Sequence, residues 1–200
     1  MGEALSPDHH HLVAIPFPGR GHINPMLGLC RHLASRGLLV TVVVTEEWLA
    51  LLSSPPAPML HSNIRLRSIP NVLPSEKTRG ANYEAFIMAV LTKMGAPVGE
   101  LVEGLDVAVD AVLADSTLPW APEIGKRLGV PVSSLFPQSA ALFLALHHLS
   151  GLEAENGQAM PSFSSGMRAT CHPFTIEMKR KSFMCLIYSA GNTYYYDNIL

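Results

Sequence analysis

The stretch HLVAIPFPGRGHINPMLGLCRHLASRGLLVTVVVT, residues 11–45, decides the fold. Its first seven residues, His11 to Phe17, form a short apolar run broken by proline, which reads as a strand buried on both faces. The turn PGRGH follows. Asn24 then offers an N-cap oxygen and Pro25 the pre-set φ of a first helical position, so a helix is expected to begin there with Met26, Leu29, Cys30 and Leu33 on one face. Gly37 is its expected stop. LLVTVVVT, residues 38–45, is rich in β-branched residues and lacks polar alternation, which marks a second buried strand. Strand, helix and strand in that order make a right-handed βαβ unit.

The alternation continues outward from this unit. Pro55, Pro56 and Pro58 place a loop over Ser53–Ser62, ahead of a third strand at Ile64–Ile69. Pro70–Asn82 reads as a mobile stretch. Helical spacing of Phe86, Ile87, Val90, Leu91 and Met94 predicts a helix over Tyr83–Met94, with a further helical segment over Val98–Leu105. AVLAD, residues 111–115, is a short strand ending in an acid. Leu118–Leu128 reads as a helix stopped by Gly129, VPVSSLF (residues 130–136) as a strand, and Ser139–Leu149 as a helix. This order predicts an α/β fold with a doubly wound, mostly parallel sheet. After about Gly151 the periodicity fades and no continuation of the sheet is expected.

Composition bounds the function. Charged residues make up 15% of the 200, against roughly a quarter in an average domain, and fifteen glycines and sixteen prolines divide the rest into short buried segments. Fourteen Lys and Arg against sixteen Asp and Glu leave a net charge of -2, without the basic footprint that a nucleic acid partner requires. Cys30, Cys171 and Cys185 are scattered and form no C-x-x-C pair, which suits a reducing compartment better than a disulfide or zinc framework. The amino terminus shows no apolar signal region, and the longest apolar runs, such as Leu38–Val44 and Ala140–Leu146, fall far short of the ~18 residues of a membrane span. A cytoplasmic protein without a metal site is expected. His9-His10-His11 reads as a solvated tail rather than a metal-binding cluster, and Lys179-Arg180-Lys181 as solvated surface. Trp120, Phe136, Phe143 and Leu146 fall at core spacing, Cys30 behaves as a small hydrophobe, and His147-His148 cap a helix end.

In open α/β sheets, reactive groups collect in the loops at the carboxyl ends of strands. His22 follows the first strand and Asp115 ends the AVLAD strand. A neutral imidazole favoured by a helix N-terminus, its second nitrogen oriented by a carboxylate, is a general base and its partner. Spacing alone leaves a second reading open, in which His22 satisfies backbone groups in a turn and Asp115 caps the following helix. No G-x-S-x-G nucleophile accompanies the pair. Gly19 and Gly21 begin a G-x-G-x-x-G pattern whose third glycine is replaced by Asn24, so an NAD(P)-dependent reductase, with Glu46 on the ribose, is the weaker alternative. Otherwise these glycines make a tight turn where a ligand can approach the backbone.

Two segments carry a family resemblance. PFPGRGHINPMLGLCRHLASRG (residues 16–37) resembles the amino terminus of plant family 1 UDP-glycosyltransferases, its PGRGHINP wording being most like the 87 group. ADSTLPWAPEIGKRLGVPVSSLFPQSA (residues 114–140) is similar to the family's segment that opens with a catalytic aspartate. The resemblance covers about residues 11–157 and implies the Rossmann-like, acceptor-binding domain of a GT-B glycosyltransferase, after a disordered tail at 1–10 and before a divergent, poorly ordered tail at 158–200. It implies His22 as the base that deprotonates an acceptor hydroxyl and Asp115 as its partner. Gly19 and Gly21 would approach the donor, and Phe17, Gln138 and Ser139 would line the acceptor cleft. The co-substrate would be a UDP-sugar, with no metal and no tightly bound cofactor, and the acceptor a small lipophilic metabolite. The family's H-C-G-W-N-S run and late D-Q or E-Q pair are not in these 200 residues, so a missing carboxy-terminal donor domain is expected. With it come inactivity of the chain alone, self-association through an exposed interdomain face, and the alternative of a non-catalytic binding remnant.

Overall fold

The computed structural model describes residues 10–54 and 60–145 in full and the backbone of 184–189 and 192–197. Among the described residues, one sheet holds seven strands in the order β3-β2-β1-β4-β5-β6-β7. The strands are β1 (His11–Ile15), β2 (Leu39–Thr45), β3 (Ile64–Ile69), β4 (Ala111–Asp115), β5 (Val132–Phe136), β6 (Met184–Ser189) and β7 (Asn192–Asp197). All neighbours pair parallel except β6 and β7. The chain moves outward from β1 through β2 to β3 and then crosses back to β4 on the other side of β1. The β1/β4 boundary is therefore the topological switch point, the place where doubly wound sheets bind their ligands beyond the strand ends.

Helices cover both faces, as a doubly wound sheet requires. On one, α1 (Arg20–Ala34) and α2 (Glu46–Ser53) bury Ile23, Met26, Leu29, Cys30 and Trp48 against Ala14, Val40, Val42 and Leu113. On the other, α3 (Tyr83–Lys93), α4 (Gly95–Glu103) and α5 (Ala121–Leu128) bury Phe86, Val90, Met94, Val98 and Ile124 against Val13, Ile15, Val43 and Val112. Alternate residues of one strand thus serve different layers, which is why β2 is buried at every position and reads as an unbroken apolar run. Burial pushes the Cys30 thiol up to about 12, in keeping with a packing role.

Several expectations are corrected. α1 begins at Arg20, five residues before Pro25, which lies inside the helix. The Gly19 carbonyl accepts from both His22 N–H and Ile23 N–H, each at 2.9 Å, so the first turn closes ahead of the proline. Pro25 then removes only the bond to Gly21, an exposed residue whose carbonyl water can reach. α2 stands where no helix was expected, started by the Thr45 side chain accepting from Trp48 N–H. The histidine run divides: His10 is exposed, whereas His11 is buried, its Nδ1 donating to the Ala108 carbonyl at 3.1 Å and its Nε2 accepting from the Thr41 hydroxyl at 2.8 Å. Pro70–Asn82, read as mobile, is tied to α2. Ser75 Oγ donates to Glu47 Oε1 at 2.6 Å and Glu76 N–H to Glu47 Oε2 at 3.0 Å.

Gly37 and Gly129 stop α1 and α5 as expected, at φ of 93° and 71°. The sheet also extends beyond residue 150, where no continuation was expected, because β6 joins β5 by backbone pairing that requires no side-chain period. Among the described residues, one 21-residue helical stretch, Tyr83–Glu103, is long and apolar enough to cross a membrane, a length that the short apolar runs of the sequence did not suggest. Its Phe86, Val90, Met94 and Val98 pack on the sheet. Trp120 packs half-buried against the second core cluster, its indole donating to the Val90 carbonyl at 3.0 Å, whereas Phe136 and Phe143 are half-buried outside both clusters, their rings meeting edge-on. Leu146, His147-His148, Lys179-Arg180-Lys181 and 158–183 lie outside the described residues, as does 1–9.

Candidate active site

β1 and β4 are hydrogen-bonded neighbours with Ile15 beside Ala114, so the residues that follow them emerge at the same point of the sheet edge. His22 comes from the first turn of α1 and Asp115 is the last residue of β4. Across 93 residues of sequence, His22 Nδ1 donates to Asp115 Oδ2 at 2.8 Å. Asp115 is fully buried, and its second oxygen accepts from Thr117 N–H at 3.0 Å and the Thr117 hydroxyl at 2.6 Å. A buried carboxylate needs such partners. The carboxylate fixes the proton on Nδ1 and leaves Nε2 as an acceptor, with no hydrogen-bond partner among the described residues. With the His22 side chain 20% exposed, the ring is held in place yet reachable from solvent. This is the geometry of a general base.

The two readings left open by spacing now separate. Asp115 does brace the turn after β4 through Thr117, but α5 starts only at Ala121, so Asp115 does not cap that helix. Phe17 lies against the histidine, its ring centroid 4.8 Å away at 43°. Gly19 is the buried N-cap of α1, and Gly21 is exposed with open space around it. Gln138 and Ser139 follow β5 at the same end of the sheet and are exposed. Ser139 Oγ accepts from Leu142 N–H at 3.2 Å, starting the helical residues 140–145. The structure thus joins Phe17, Gly19, His22 and Asp115 in one cluster, and among the described residues no hydrogen bond links the Gln138 or Ser139 side chain to it.

Sequence reasoning missed Thr117, whose place two residues after an aspartate is the signal of a side-chain turn. It also missed Arg79, Glu76 and Glu47, for which no pattern was available. Arg79 Nη1 reaches the Pro18 carbonyl at 3.2 Å and Glu76 Oε1 at 2.7 Å. Burial pushes the Glu76 carboxyl above its ordinary range, opposed by the Arg79 guanidinium and reinforced by Glu47.

Fold and site together define a Rossmann-like domain that carries a carboxylate-oriented histidine at its switch point. The model of the glycosyltransferase N-terminal domain family matches residues 8–50. Two Arabidopsis thaliana proteins, UDP-glycosyltransferases 87A1 and 87A2, are 43% and 40% identical over 72% and 75% of this chain. The chain spans about a third of the length of these curated relatives, 32% and 33%. Among solved structures, rice Os79 in complex with UDP superposes with a TM-score of 0.66 at 20% identity, over 89% of this chain and 46% of that one. Arabidopsis UGT89C1, complexed with UDP-L-rhamnose, gives 0.55 at 23%, over 82% and 43%. Both show the shared fold. Over its matched part, the chain is similar to the amino-terminal part of plant UDP-glycosyltransferases, and it shares the Rossmann-like fold of that part of their GT-B architecture.

Proposed function

We propose that this chain is the acceptor-binding, base-bearing part of a glycosyltransferase that moves a sugar, glucose in the first instance, from a UDP-sugar to a hydroxyl of a small lipophilic plant metabolite. In this reading the acceptor O–H gives its proton to His22 Nε2 while its oxygen bonds to the anomeric carbon. The bond from that carbon to the UDP oxygen breaks, UDP leaves with the electron pair, and the configuration inverts. Asp115 stabilises the imidazolium as it forms, a division of labour in which general-base catalysis contributes roughly 10²–10⁴-fold. Gly19 and Gly21 border the donor's sugar, Phe17 packs beside the acceptor, and Gln138 and Ser139 line the far side of the cleft. UDP-sugar is a co-substrate, and departure of UDP is assisted by a helix dipole and side chains of a donor domain rather than by a metal of this half. Residues 11–157 form the acceptor domain of a cytosolic protein, and its interdomain face is the expected surface of self-association when the chain is alone.

The observation that supports this reading most is the 2.8 Å bond from His22 Nδ1 to the buried Asp115, with Nε2 left as an acceptor. The test is UDP release from UDP-glucose with hydroxylated lipophilic acceptors, by this chain joined to the donor half of an 87-group relative. Turnover that is lost in His22→Ala supports the assignment. Turnover unchanged in His22→Ala overturns it.

A further inference from the structure

Asp115 restrains one edge of the His22 ring, and a second restraint comes from the connection between β3 and α3. We propose that Arg79 is a positioning residue for His22, acting through the Phe17–Gly19 turn; this rests on the reading of His22 as the base. Arg79 opens the short helical turn Arg79–Ala81. Its Nη1 donates to the carbonyl of Pro18 at 3.2 Å, and its Cζ lies 5.0 Å from the centroid of the Phe86 ring. Pro18 precedes Gly19, whose N–H donates to the Phe17 carbonyl at 2.8 Å and whose own carbonyl accepts from His22 N–H at 2.9 Å. The Phe86 ring meets Phe17 edge-on at 5.8 Å, and Phe17 lies against His22. One guanidinium therefore holds the turn backbone before the histidine directly and the Phe17 ring beside it through Phe86.

The residue types fit this role. Arginine combines a planar face for an aromatic ring with donors in the same plane, whereas lysine offers a compact charge that cannot do both. Gly19 leaves room for it, since a Cβ there would lie 3.3 Å from Arg79 Nη1 and 3.6 Å from the Phe17 ring. The anchor is itself anchored: Glu76, ion-paired to Arg79 at 2.7 Å, takes its backbone hold from Glu47 in the first turn of α2. Arg79 is partly exposed at the sheet edge, outside both core clusters, so its effect should be local.

The test uses the 200-residue chain itself, labelled with nitrogen-15, so that it stands apart from any activity measurement. His22 imidazole signals, assigned by their loss in His22→Gln, should show one tautomer with Nδ1 protonated. In Arg79→Gln those signals should broaden or double. The amides of His22 and Ile23 should exchange roughly tenfold faster while those of Val42 and Leu113 in the central strands do not change. Arg79→Lys, which keeps the charge and one donor, should fall between the two. Unchanged His22 signals and amide exchange in both variants overturn the proposal, as does an acceleration in Val42 and Leu113 equal to that in His22, which would make Arg79 a residue of general stability. If His22→Ala leaves a joined enzyme active, the reading of His22 as the base fails, while the effect of Arg79 on the ring remains measurable here.

Discussion

Replacing Asp115 by asparagine keeps the shape of the side chain and changes one hydrogen-bonding group, and the structure dictates how the site responds. Oδ1 of Asp115 accepts two bonds from Thr117, at 3.0 and 2.6 Å, and Oδ2 accepts one from His22 at 2.8 Å. An amide that keeps its oxygen on Thr117 presents its NH₂ to His22 Nδ1. The opposite orientation sets NH₂ against the Thr117 N–H, a buried donor conflict of about 1–3 kcal/mol. The first orientation is therefore adopted, Nδ1 becomes an acceptor, and the ring proton moves to Nε2. On the proposed role of His22, a ring already protonated at Nε2 cannot take the acceptor's proton. Stability should fall by only about 1–2 kcal/mol, the difference between charge-assisted and neutral hydrogen bonds. Turnover of the joined enzyme should fall roughly 10²–10⁴-fold, or about 2.7–5.4 kcal/mol in the barrier. UDP release measures the rate, and the nitrogen-15 spectrum of the imidazole measures the tautomer. Turnover within about threefold of wild type, with Nδ1 still protonated, would refute the reasoning.

Three further outcomes follow from the packing. His11→Leu strands the buried Thr41 hydroxyl, while the exposed Ala108 can turn its carbonyl to water, and should lower stability by about 1–3 kcal/mol in urea unfolding; a midpoint equal to wild type would contradict the bonding described. In Gly125→Ala the new methyl would clash with Val132 Cγ2 and stand 3.0 Å from the Val130 carbonyl. Overpacking between α5 and β5 should outweigh the gain in helix propensity, for a net loss of about 1–2 kcal/mol, and a rise in the urea midpoint would count against the contact. The Cys30 thiol, pushed up to about 12 by burial, should stay unmodified by an alkylating reagent at pH 8 in the folded chain and react once urea unfolds it, as peptide mass analysis would show. Rapid labelling in the native state would mean that α1 opens.

The sequence by itself determined what repeats at short range. β3 and β4 lie at the residues expected of them, Ile64–Ile69 and Ala111–Asp115, and Gly37 and Gly129 end their helices because a positive φ excludes most other residues. His22 and Asp115 were legible as a pair because a parallel sheet delivers the carboxyl ends of its strands to one edge, whatever the loops do. Tertiary contact decided the rest. Asn24-Pro25 carries a strong local start signal, yet α1 begins at Arg20, since Gly19 closes the first turn and Ile23 gains burial against the sheet. Pro70–Asn82 has no periodicity to read, and its order comes from Glu47 and Pro18, partners 28 and 61 residues away. His11 looks like part of a polar run until β1 carries it beside Thr41. Propensity and spacing act between neighbours a few residues apart, whereas the proton position on His22 and the hold of Arg79 on its turn depend on groups that only the folded sheet brings within hydrogen-bond distance.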